Sequence, residues 1–192
     1  LETFLRDAGL RDNTILIFMT DNGTATGETV FNAGMRGKKI GLYDGGHRVP
    51  FFVRWTAGHL RAAGDLDVLT QCQDVFPTLI DLCGLKNPAG TKFDGLSVAA
   101  LLRGKTESLP DRKLVVQFSR MNRPQPWKGD AAVLWKKWRL VGTNELYDIA
   151  ADPGQERNVI GRFPNIALEM WNHYEGWWSK VEPRVNEFSE IH

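Results

Sequence analysis

The sequence predicts an α/β fold, in which a partial mixed or parallel sheet with flanking helices precedes a small antiparallel sheet and a carboxyl-terminal helix. Three features lead to this prediction. An amphipathic helical pattern runs through a short turn into the apolar stretch TILIFMT, residues 14–20. A second apolar run and two further helical patterns follow it. Beyond residue 104 the chain changes to short strand-like runs and then to a long, aromatic-rich helical pattern.

The composition is that of an ordinary globular chain. The 192 residues are 42% hydrophobic and 24% charged, which suffices for a core, and the formal net charge is +1. A charge near zero gives no reason to expect a nucleic acid or an anionic membrane as partner. No apolar run has the length of a transmembrane helix. Cys72 and Cys83 are too few for a disulfide framework, and their spacing fits no known metal motif.

The amino-terminal stretch LETFLRDAGL begins at Leu1 directly in a helical pattern, without a methionine or a signal peptide. We therefore expect the chain to be a piece of a longer protein, and the sequence assigns no compartment. The helix is predicted to end near Gly9. The stretch TILIFMT is almost continuously apolar, which is typical of a strand buried on both faces. A helix, a turn and a buried strand in succession favour a largely parallel sheet.

A long glycine-rich segment, Gly23–Gly46, follows the first strand and has neither a helical nor a strand period. Connections of this length inside compact domains are commonly functional loops. The stretch VPFFVRW, residues 49–55, is predicted as a second strand, with Pro50 near its start, where a missing backbone donor is tolerated.

Two helices are predicted after the second strand. The first contains DVFPTLIDLC, with Asp74 as a cap and Pro77 in its first turn, and it ends at Gly84. The second is a short helix over Ser97–Arg103. We assign residues 1–104 to one main α/β part.

Residues 105–192 are predicted to form a smaller subdomain. The runs RKLVVQFS, AAVLWKKWRLV and NELYDI alternate with turn residues and predict a small antiparallel sheet. In the final helical pattern Trp171, Tyr174 and Trp178 recur at helical spacing. This stripe is open to two interpretations, a face packed on the small sheet or a platform for stacking sugars, and packing is favoured.

Asp21 and Asn22 follow the first predicted strand directly, in the sequence TDNG. Ligands of open α/β sheets bind at the carboxyl ends of strands, and Ca²⁺ or Mg²⁺ prefers oxygen ligands such as a carboxylate and a carboxamide. The pair is therefore a candidate metal site. Asp-Asn-Gly is also an ordinary turn tripeptide, because Asn and Gly tolerate a positive φ and Asp bonds to its own backbone. From these residues alone the turn is favoured.

Three cations, Arg36, Lys38 and Lys39, lie downstream in a loop spaced by glycines. Glycine lets a backbone approach a ligand closely. Cations beside a cation-binding carboxylate are consistent with one tetrahedral oxyanion that contacts both the metal and an ammonium group. A solvated basic loop is the alternative interpretation.

The order of these stretches resembles the carboxyl-terminal portion of a sulfatase, in the alkaline phosphatase superfamily. The strand with TDNG comes first, then RGKKIGLYDGGHRVPFFVRW, and later DVFPTLIDLCG, FDGLSVAALLRG and NELYDIAADPGQERNV. The resemblance runs from Thr14 to Val159 and includes Gly-Lys followed by Tyr-[Asp/Glu]-Gly-Gly-x-Arg-x-Pro. It implies a sulfuric ester hydrolase that acts on a sulfate ester of a small molecule or a carbohydrate. Residues 1–104 would be the last part of its catalytic α/β domain.

The resemblance carries specific roles to matching positions. Asp21 and Asn22 stand where sulfatases complete a site for a divalent cation, usually Ca²⁺. Lys39, four residues before Tyr43, stands where a catalytic lysine binds a sulfate oxygen. Lys38 is the alternative sulfate ligand if the loop carries a shift of one residue.

Three further residues receive weaker expectations. Arg48 is expected to form a buried structural ion pair rather than to contact substrate, because it leads directly into a strand. His47 is open to a role as proton donor, but a structural or peripheral role is favoured. Trp127, in the Pro-rich stretch RPQPWKG, is a candidate for substrate contact, because loops of this subdomain border the pocket in sulfatases.

The resemblance also implies a formylglycine nucleophile, which is made from the Cys or Ser of a C/S-x-P-x-R motif. We expect that motif to lie upstream and to be absent from this chain; neither Cys72 nor Cys83 fits it. We therefore expect weak Ca²⁺ binding and no sulfatase turnover from the chain alone. We also expect self-association through the sheet edge and face that TILIFMT would leave uncovered.

Two other functions stay open at this point. A phosphodiesterase or phosphonate hydrolase of the same superfamily would differ in its upstream nucleophile. A non-catalytic interaction module would use the small sheet and the Trp-rich helix as a docking surface. The joint presence of Asp21, Asn22 and Lys39 argues against such a module.

Overall fold

The structure is a computed structural model that describes residues 1–87, 89–119 and 126–185. Two compact units form. The first combines Leu1–Met19 with Pro50–Asp111, and the second combines Thr20–Val49 with the chain from Arg112 onward. The domain boundary after residue 104 stays a prediction. The helices and strands are α1 (Glu2–Asp7), β1 (Leu16–Met19), α2 (Asp44–His47), β2 (Phe51–Arg54), α3 (Val75–Leu82), α4 (Ala99–Leu102), β3 (Leu114–Gln117), β4 (Ala131–Trp135), β5 (Trp138–Val141), β6 (Glu145–Asp148) and α5 (Pro164–Val185).

Strands β1 and β2 pair antiparallel in the first unit, with Leu16 opposite Arg54 and Met19 opposite Phe51. The mixed α/β class is therefore as predicted, but the parallel pairing expected of this sheet is wrong for these two strands. The helix–turn–strand pattern constrains only α1 and β1. The direction of β2 depends on the path of the loop that joins the two strands, which the apolar pattern does not contain.

Strand β1 is less covered in this chain than the stretch TILIFMT predicts. Its first two residues are half-buried and its last two are exposed. Phe18 is 60% exposed, and it lies beside Phe52 of β2, which is 63% exposed, with 6.2 Å between the ring centroids. Burial of a strand on both faces needs neighbours above and below the sheet. Within the described residues, the aromatic side chains of this strand pair stay largely open.

Helices α3 and α4 are joined by a set of polar contacts. The Thr78 hydroxyl donates to the Asp74 carbonyl (2.5 Å) and accepts the Val98 N–H (2.9 Å). The Asp74 carboxylate accepts the N–H groups of Gln71 (2.9 Å) and Leu96 (2.8 Å). Asp74 thus satisfies backbone donors before α3 and before α4, although it does not cap the first turn of α3 in the way predicted.

The second unit contains the predicted small antiparallel sheet, in the order β3-β4-β5-β6. Helix α5 packs on it through Met170, Tyr174 and Trp178, all of which are buried. The Tyr174 hydroxyl accepts the Gly129 N–H (2.7 Å) and donates to Gln117 Oε1 (2.9 Å). The aromatic stripe is therefore a packed face, as favoured from the sequence.

The loop that carries Trp127 is only partly described. Trp127 is 62% exposed, and residues 123–125 of the Pro-rich stretch lie outside the described residues. Substrate contact by Trp127 stays a prediction. In the described part of the chain, no helix combines the length and the apolar character needed to cross a membrane.

Candidate functional site

Asp21 and Asn22 form a turn directly after β1. Asn22 Nδ2 donates a hydrogen bond to Asp21 Oδ2 over 2.7 Å, and Asp21 is exposed. Because Asn22 uses its nitrogen for this bond, its carbonyl oxygen stays an acceptor. The turn therefore presents carboxylate and carboxamide oxygens, which suit a hard cation such as Ca²⁺. Across residues 1–87, 89–119 and 126–185, no group of three or more His, Cys, Asp or Glu side chains is arranged to hold a metal ion.

Gly23 presses this turn against the Tyr-Asp-Gly-Gly stretch. Its N–H donates to the Gly46 carbonyl over 3.0 Å. A Cβ atom on Gly23 would overlap the carbonyl oxygen of Gly45. The two backbones can approach this closely only because residue 23 lacks a side chain. The close approach fixes the residues that follow β1 relative to the start of α2.

Gly45 and Gly46 make equally close contacts with the basic loop. A Cβ on Gly45 would overlap the carbonyl oxygen of Gly37, and one on Gly46 would overlap that of Gly41. The Gly45 N–H also donates to the Arg36 carbonyl over 2.8 Å. These glycines are therefore not simple loop spacers. They allow three backbone segments to pack closely: the turn at Gly23, the start of α2 and the basic loop.

The two lysines of the loop lie in different environments. Lys38 Nζ bonds to Glu28 Oε1 over 2.5 Å, and this hydrogen bond lowers the pKa of Glu28. Lys39 is exposed, and its N–H donates to the Thr24 carbonyl over 2.9 Å. The bond places the Lys39 backbone beside the residues that follow the Asp21–Asn22 turn. Because the Lys38 ammonium already has a carboxylate partner, Lys39 is the better candidate of the two for an anion ligand.

The expected buried ion pair exists, but its cation differs from the expected one. Asp44 is 1% exposed, and its Oδ1 accepts a hydrogen bond from Arg139 Nε over 3.0 Å. Arg48 lies 3.7 Å from the other carboxylate oxygen, and its side chain is 57% exposed. The prediction that Arg48 is the buried member is therefore wrong. A residue at the edge of a short helix keeps its long side chain in solvent, whereas Arg139 projects from the sheet.

His47 lies in the same short helix and is half-buried. One ring nitrogen lies 3.1 Å from the Leu42 carbonyl oxygen. Burial lowers the pKa of His47, the Asp44 carboxylate opposes this shift, and Arg139 adds to it. Its surroundings therefore favour the neutral ring over the charged one, and the structural role favoured by the sequence stays a prediction.

Arg36 joins the basic loop to β6 and to the turn after it. Its Nη1 donates to the Tyr147 hydroxyl (3.0 Å) and to the Gln155 carbonyl (2.9 Å). Its guanidinium lies 3.8 Å from the centroid of the Tyr43 ring. Both tyrosine hydroxyls donate to Glu145 Oε2, over 2.6 Å from Tyr147 and 2.9 Å from Tyr43. Burial and the Glu145 hydrogen bond raise the pKa of Tyr147 to about 12.

Sequence reasoning missed Arg139 and Gln155. Gln155 is fully buried, and its Oε1 accepts the Asp44 N–H over 2.8 Å. Arg139 has a signal in the sequence, since it is a charge within the apolar run AAVLWKKWRLV, and a charge in a buried strand requires a partner. Gln155 has none, because a glutamine in a turn is ordinarily exposed.

The nucleophile motif requires a correction. Residues 108–112 read Ser-Leu-Pro-Asp-Arg, which matches C/S-x-P-x-R, so the expectation that the pattern is absent from the chain is wrong. Ser108 is exposed between α4 and β3, and its carbonyl accepts the Thr106 hydroxyl over 3.0 Å. It belongs to the first compact unit, whereas Asp21, Asn22 and Lys39 belong to the second. Ser108 therefore matches the motif by residue type, but it does not belong to the compact unit that contains the candidate site residues.

Known sulfatases are similar to this chain. The sulfatase family model matches residues 1–85. An uncharacterized sulfatase of Escherichia coli, YdeN, is 34% identical over 111 residues, which are 57% of this chain and 20% of that protein. An N-acetylgalactosamine-6-O-sulfatase of Bacteroides thetaiotaomicron is 29% identical over 185 residues, 84% of this chain and 35% of that protein.

A solved structure is also similar to this chain. Ps i-CgsB in complex with k-i-k-neocarrahexaose is similar with a TM-score of 0.77 and 25% identity over 92% of this chain and 39% of that one. The chain is thus similar to sulfatases, and the match to the sulfatase family model covers its first 85 residues. The chain spans a fifth of the length of YdeN and about a third of the galactosamine sulfatase, which fits the expectation of a carboxyl-terminal portion.

Proposed function

We propose that this chain supplies part of the cation and sulfate site of a sulfuric ester hydrolase. In this proposal Asp21 and Asn22 ligate Ca²⁺, and Lys39 binds an oxygen of the sulfate group. The observation that carries it is the pair of backbone hydrogen bonds, from Gly23 to Gly46 and from Lys39 to Thr24. They hold the turn with the oxygen ligands against the loop that carries the ammonium group.

The chemistry of these residues is electrostatic. Lys39 offsets negative charge on a sulfuryl oxygen as the S–O bond breaks. Asp21 contributes one negative charge and Asn22 a neutral oxygen to the cation. When bound, Ca²⁺ polarises the sulfate oxygens as a Lewis acid. Tight Ca²⁺ sites use about six to eight oxygens with several charges, so two residues bind the ion weakly.

A sulfated carbohydrate is the proposed substrate class. One similar protein is named an N-acetylgalactosamine-6-O-sulfatase, and the similar solved structure holds a neocarrahexaose. Lys39 and Asp21 are both exposed, which suits a sulfate group that a large, hydrophilic molecule presents from outside.

The chain alone is proposed to be inactive, because Asp21, Asn22 and Lys39 are only part of a sulfatase site and Ser108 is proposed to remain an unmodified serine. We expect no hydrolysis of an aryl sulfate by the purified chain in the presence of Ca²⁺. Mass spectrometry of the peptide with Ser108 is expected to give the mass of unmodified serine. A peptide lighter by two hydrogen atoms, together with turnover that Ser108→Ala and Lys39→Ala each abolish, would contradict this part of the proposal.

Residue-resolved titration tests the site itself. In ¹H–¹⁵N spectra of the labelled chain, Ca²⁺ at about millimolar concentration is expected to shift the amides of Asp21, Asn22 and Gly23, and Asp21→Ala is expected to abolish the shifts. Subsequent addition of sulfate is expected to shift Lys39 more than Lys38. Sodium chloride of equal ionic strength is the control. Shifts confined to other regions, or unaffected by Asp21→Ala, would refute the assignment.

A further inference from the structure

We propose that Arg139 and Gln155 are positioning residues for this site, so that the small sheet sets where Lys39 and the Asp21–Asn22 turn lie. The inference rests on the proposed function and extends it to residues that touch neither cation nor sulfate. All of the residues involved belong to the second compact unit.

Arg139 and Gln155 both bind Asp44. Arg139 bonds the Asp44 carboxylate over 3.0 Å, and Gln155 Oε1 accepts the Asp44 N–H over 2.8 Å. The three residues are 6%, 0% and 1% exposed for Arg139, Gln155 and Asp44. At such burial the Arg139–Asp44 ion pair strongly favours one geometry. If the pair separated, each charge would be buried without water or a partner to compensate for its lost hydration. Asp44 is thereby held at its side chain and at its backbone.

Gly45 and Gly46 connect Asp44 to the Asp21–Asn22 turn. Gly45 and Gly46 follow Asp44 directly in α2. Their carbonyl groups meet Gly23, one by a hydrogen bond of 3.0 Å to its N–H and the other by contact without room for a Cβ. Asp21 and Asn22 immediately precede Gly23. A displacement of Asp44 therefore moves the surface against which the oxygen ligands are held.

The contacts also reach the loop that carries Lys39. Gly46 packs closely against the carbonyl groups of Gly41 and Lys38, and the Lys39 N–H bonds to Thr24. Gln155 contributes a second time here, since its carbonyl accepts Arg36 Nη1 at the start of the same loop. The loop of Lys39 is thus fastened at Arg36, at Gly46 and at Thr24.

Amide hydrogen exchange of the full chain tests the positioning. Arg139→Met and Gln155→Leu are each expected to speed exchange at the amides of Gly23 and Lys39 by about tenfold, as in a local opening. The ladder amides of β4 and β5 should keep their rates. The matched control is Lys137→Met, which removes a cation of the β4–β5 turn that bonds Asp148 over 2.6 Å, and it should leave Gly23 and Lys39 unchanged.

The double variant Asp44→Asn/Arg139→Met removes both members of the ion pair and leaves no buried charge. If Arg139→Met alone unfolds the sheet, hydrogen exchange of the double variant tests the positioning role instead. Full protection of Gly23 and Lys39 in the double variant, or equal loss in Lys137→Met, would overturn the proposal.

Sulfate titration separates this proposal from the proposed function. Sodium sulfate is expected to shift the Lys39 ¹³Cε resonance in the unmodified chain, with apparent affinity about tenfold weaker in the double variant and unchanged in Lys137→Met. Equal affinity in the double variant contradicts the positioning role, because a merely stabilising pair would not alter binding by the folded chain. No response of the unmodified chain contradicts the proposed function, whatever the exchange rates show.

Discussion

The two strand systems of the molecule differ in how completely this chain covers them. The sheet β3–β6 is closed on one side by α5, and Leu140, Leu146, Met170 and Tyr174 are 0–1% exposed. The pair β1–β2 carries Phe18 and Phe52 with about two thirds of their surface open. The first system buries its apolar residues almost fully within the chain, whereas the second buries its apolar residues only in part.

The difference shows which part of the candidate site has its own support. The Asp21–Asn22 turn follows β1 in sequence, yet its hydrogen bonds and close glycine contacts are to residues grouped with the small sheet. The stable frame of the site is therefore the second compact unit, which combines Thr20–Val49 with the chain from Arg112 onward. Breaking that frame is expected to cost far more than changing the open strand pair.

The largest effect is expected from Tyr174→Ala. The residue is fully buried, its ring packs among aromatic side chains of α5, and its hydroxyl makes two hydrogen bonds. Removal of a large buried aromatic costs about 3–5 kcal/mol. Local unfolding free energies from hydrogen exchange of β4 and β5 measure the loss. Phe18→Ala is the control, with an expected cost below about 1 kcal/mol because the side chain is mostly exposed; equal costs would break the comparison.

Gly23→Ala is expected to be the next largest change. The added methyl group overlaps the Gly45 carbonyl, and overpacking of this kind costs about 1–3 kcal/mol. Chemical denaturation followed by near-ultraviolet absorbance or circular dichroism measures it. Gly161→Ala meets no atom within 4 Å and should leave stability unchanged. If both variants are equally stable, the close approach of the two backbones is wrong.

The exposed strand pair β1–β2 is expected to promote self-association. The exposed rings of Phe18 and Phe52, 6.2 Å apart, form an apolar patch beside the open edges of a two-stranded sheet. We expect the purified chain to self-associate, and we expect Phe18→Ser with Phe52→Ser to reduce it severalfold. Sedimentation velocity over a range of concentrations measures this. Monomeric behaviour of the unmodified chain at high concentration would count against the expectation.

The smallest effect concerns pH. Burial lowers the pKa of His47 below its ordinary value of 6.5. The unfolded chain therefore binds a proton at pH values where the folded chain does not, and stability falls as pH falls from 6.5 towards the folded pKa. Titration of the ring resonances by NMR gives the folded pKa, and His47→Gln should flatten the dependence. A folded pKa above 6.5 would reverse the sign.

The sequence predicts the strands of the small sheet and the final helix better than it predicts the long-range contacts that hold the segments together. Short apolar runs separated by turn residues predict β3–β6, and an aromatic stripe at helical spacing predicts α5, because both signals are local in the sequence. The direction of β2 and the buried partner of Asp44 depend on contacts between distant segments. Arg139 lies 95 residues from Asp44, and no local pattern links the two. The roles of Asp21, Asn22 and Lys39 remain predictions from resemblance and from their placement.

Paramagnetic broadening tests whether the Asp21–Asn22 turn and Lys39 lie at one site, with the cation at the turn and Lys39 close to it. Mn²⁺, used as a paramagnetic substitute for Ca²⁺, broadens resonances steeply with proximity. If the account is right, Mn²⁺ that broadens the amides of Asp21 and Asn22 also broadens the Lys39 ¹³Cε resonance, and it does so more strongly than that of Lys38. Broadening at the turn with an unaffected Lys39 side chain would contradict the account.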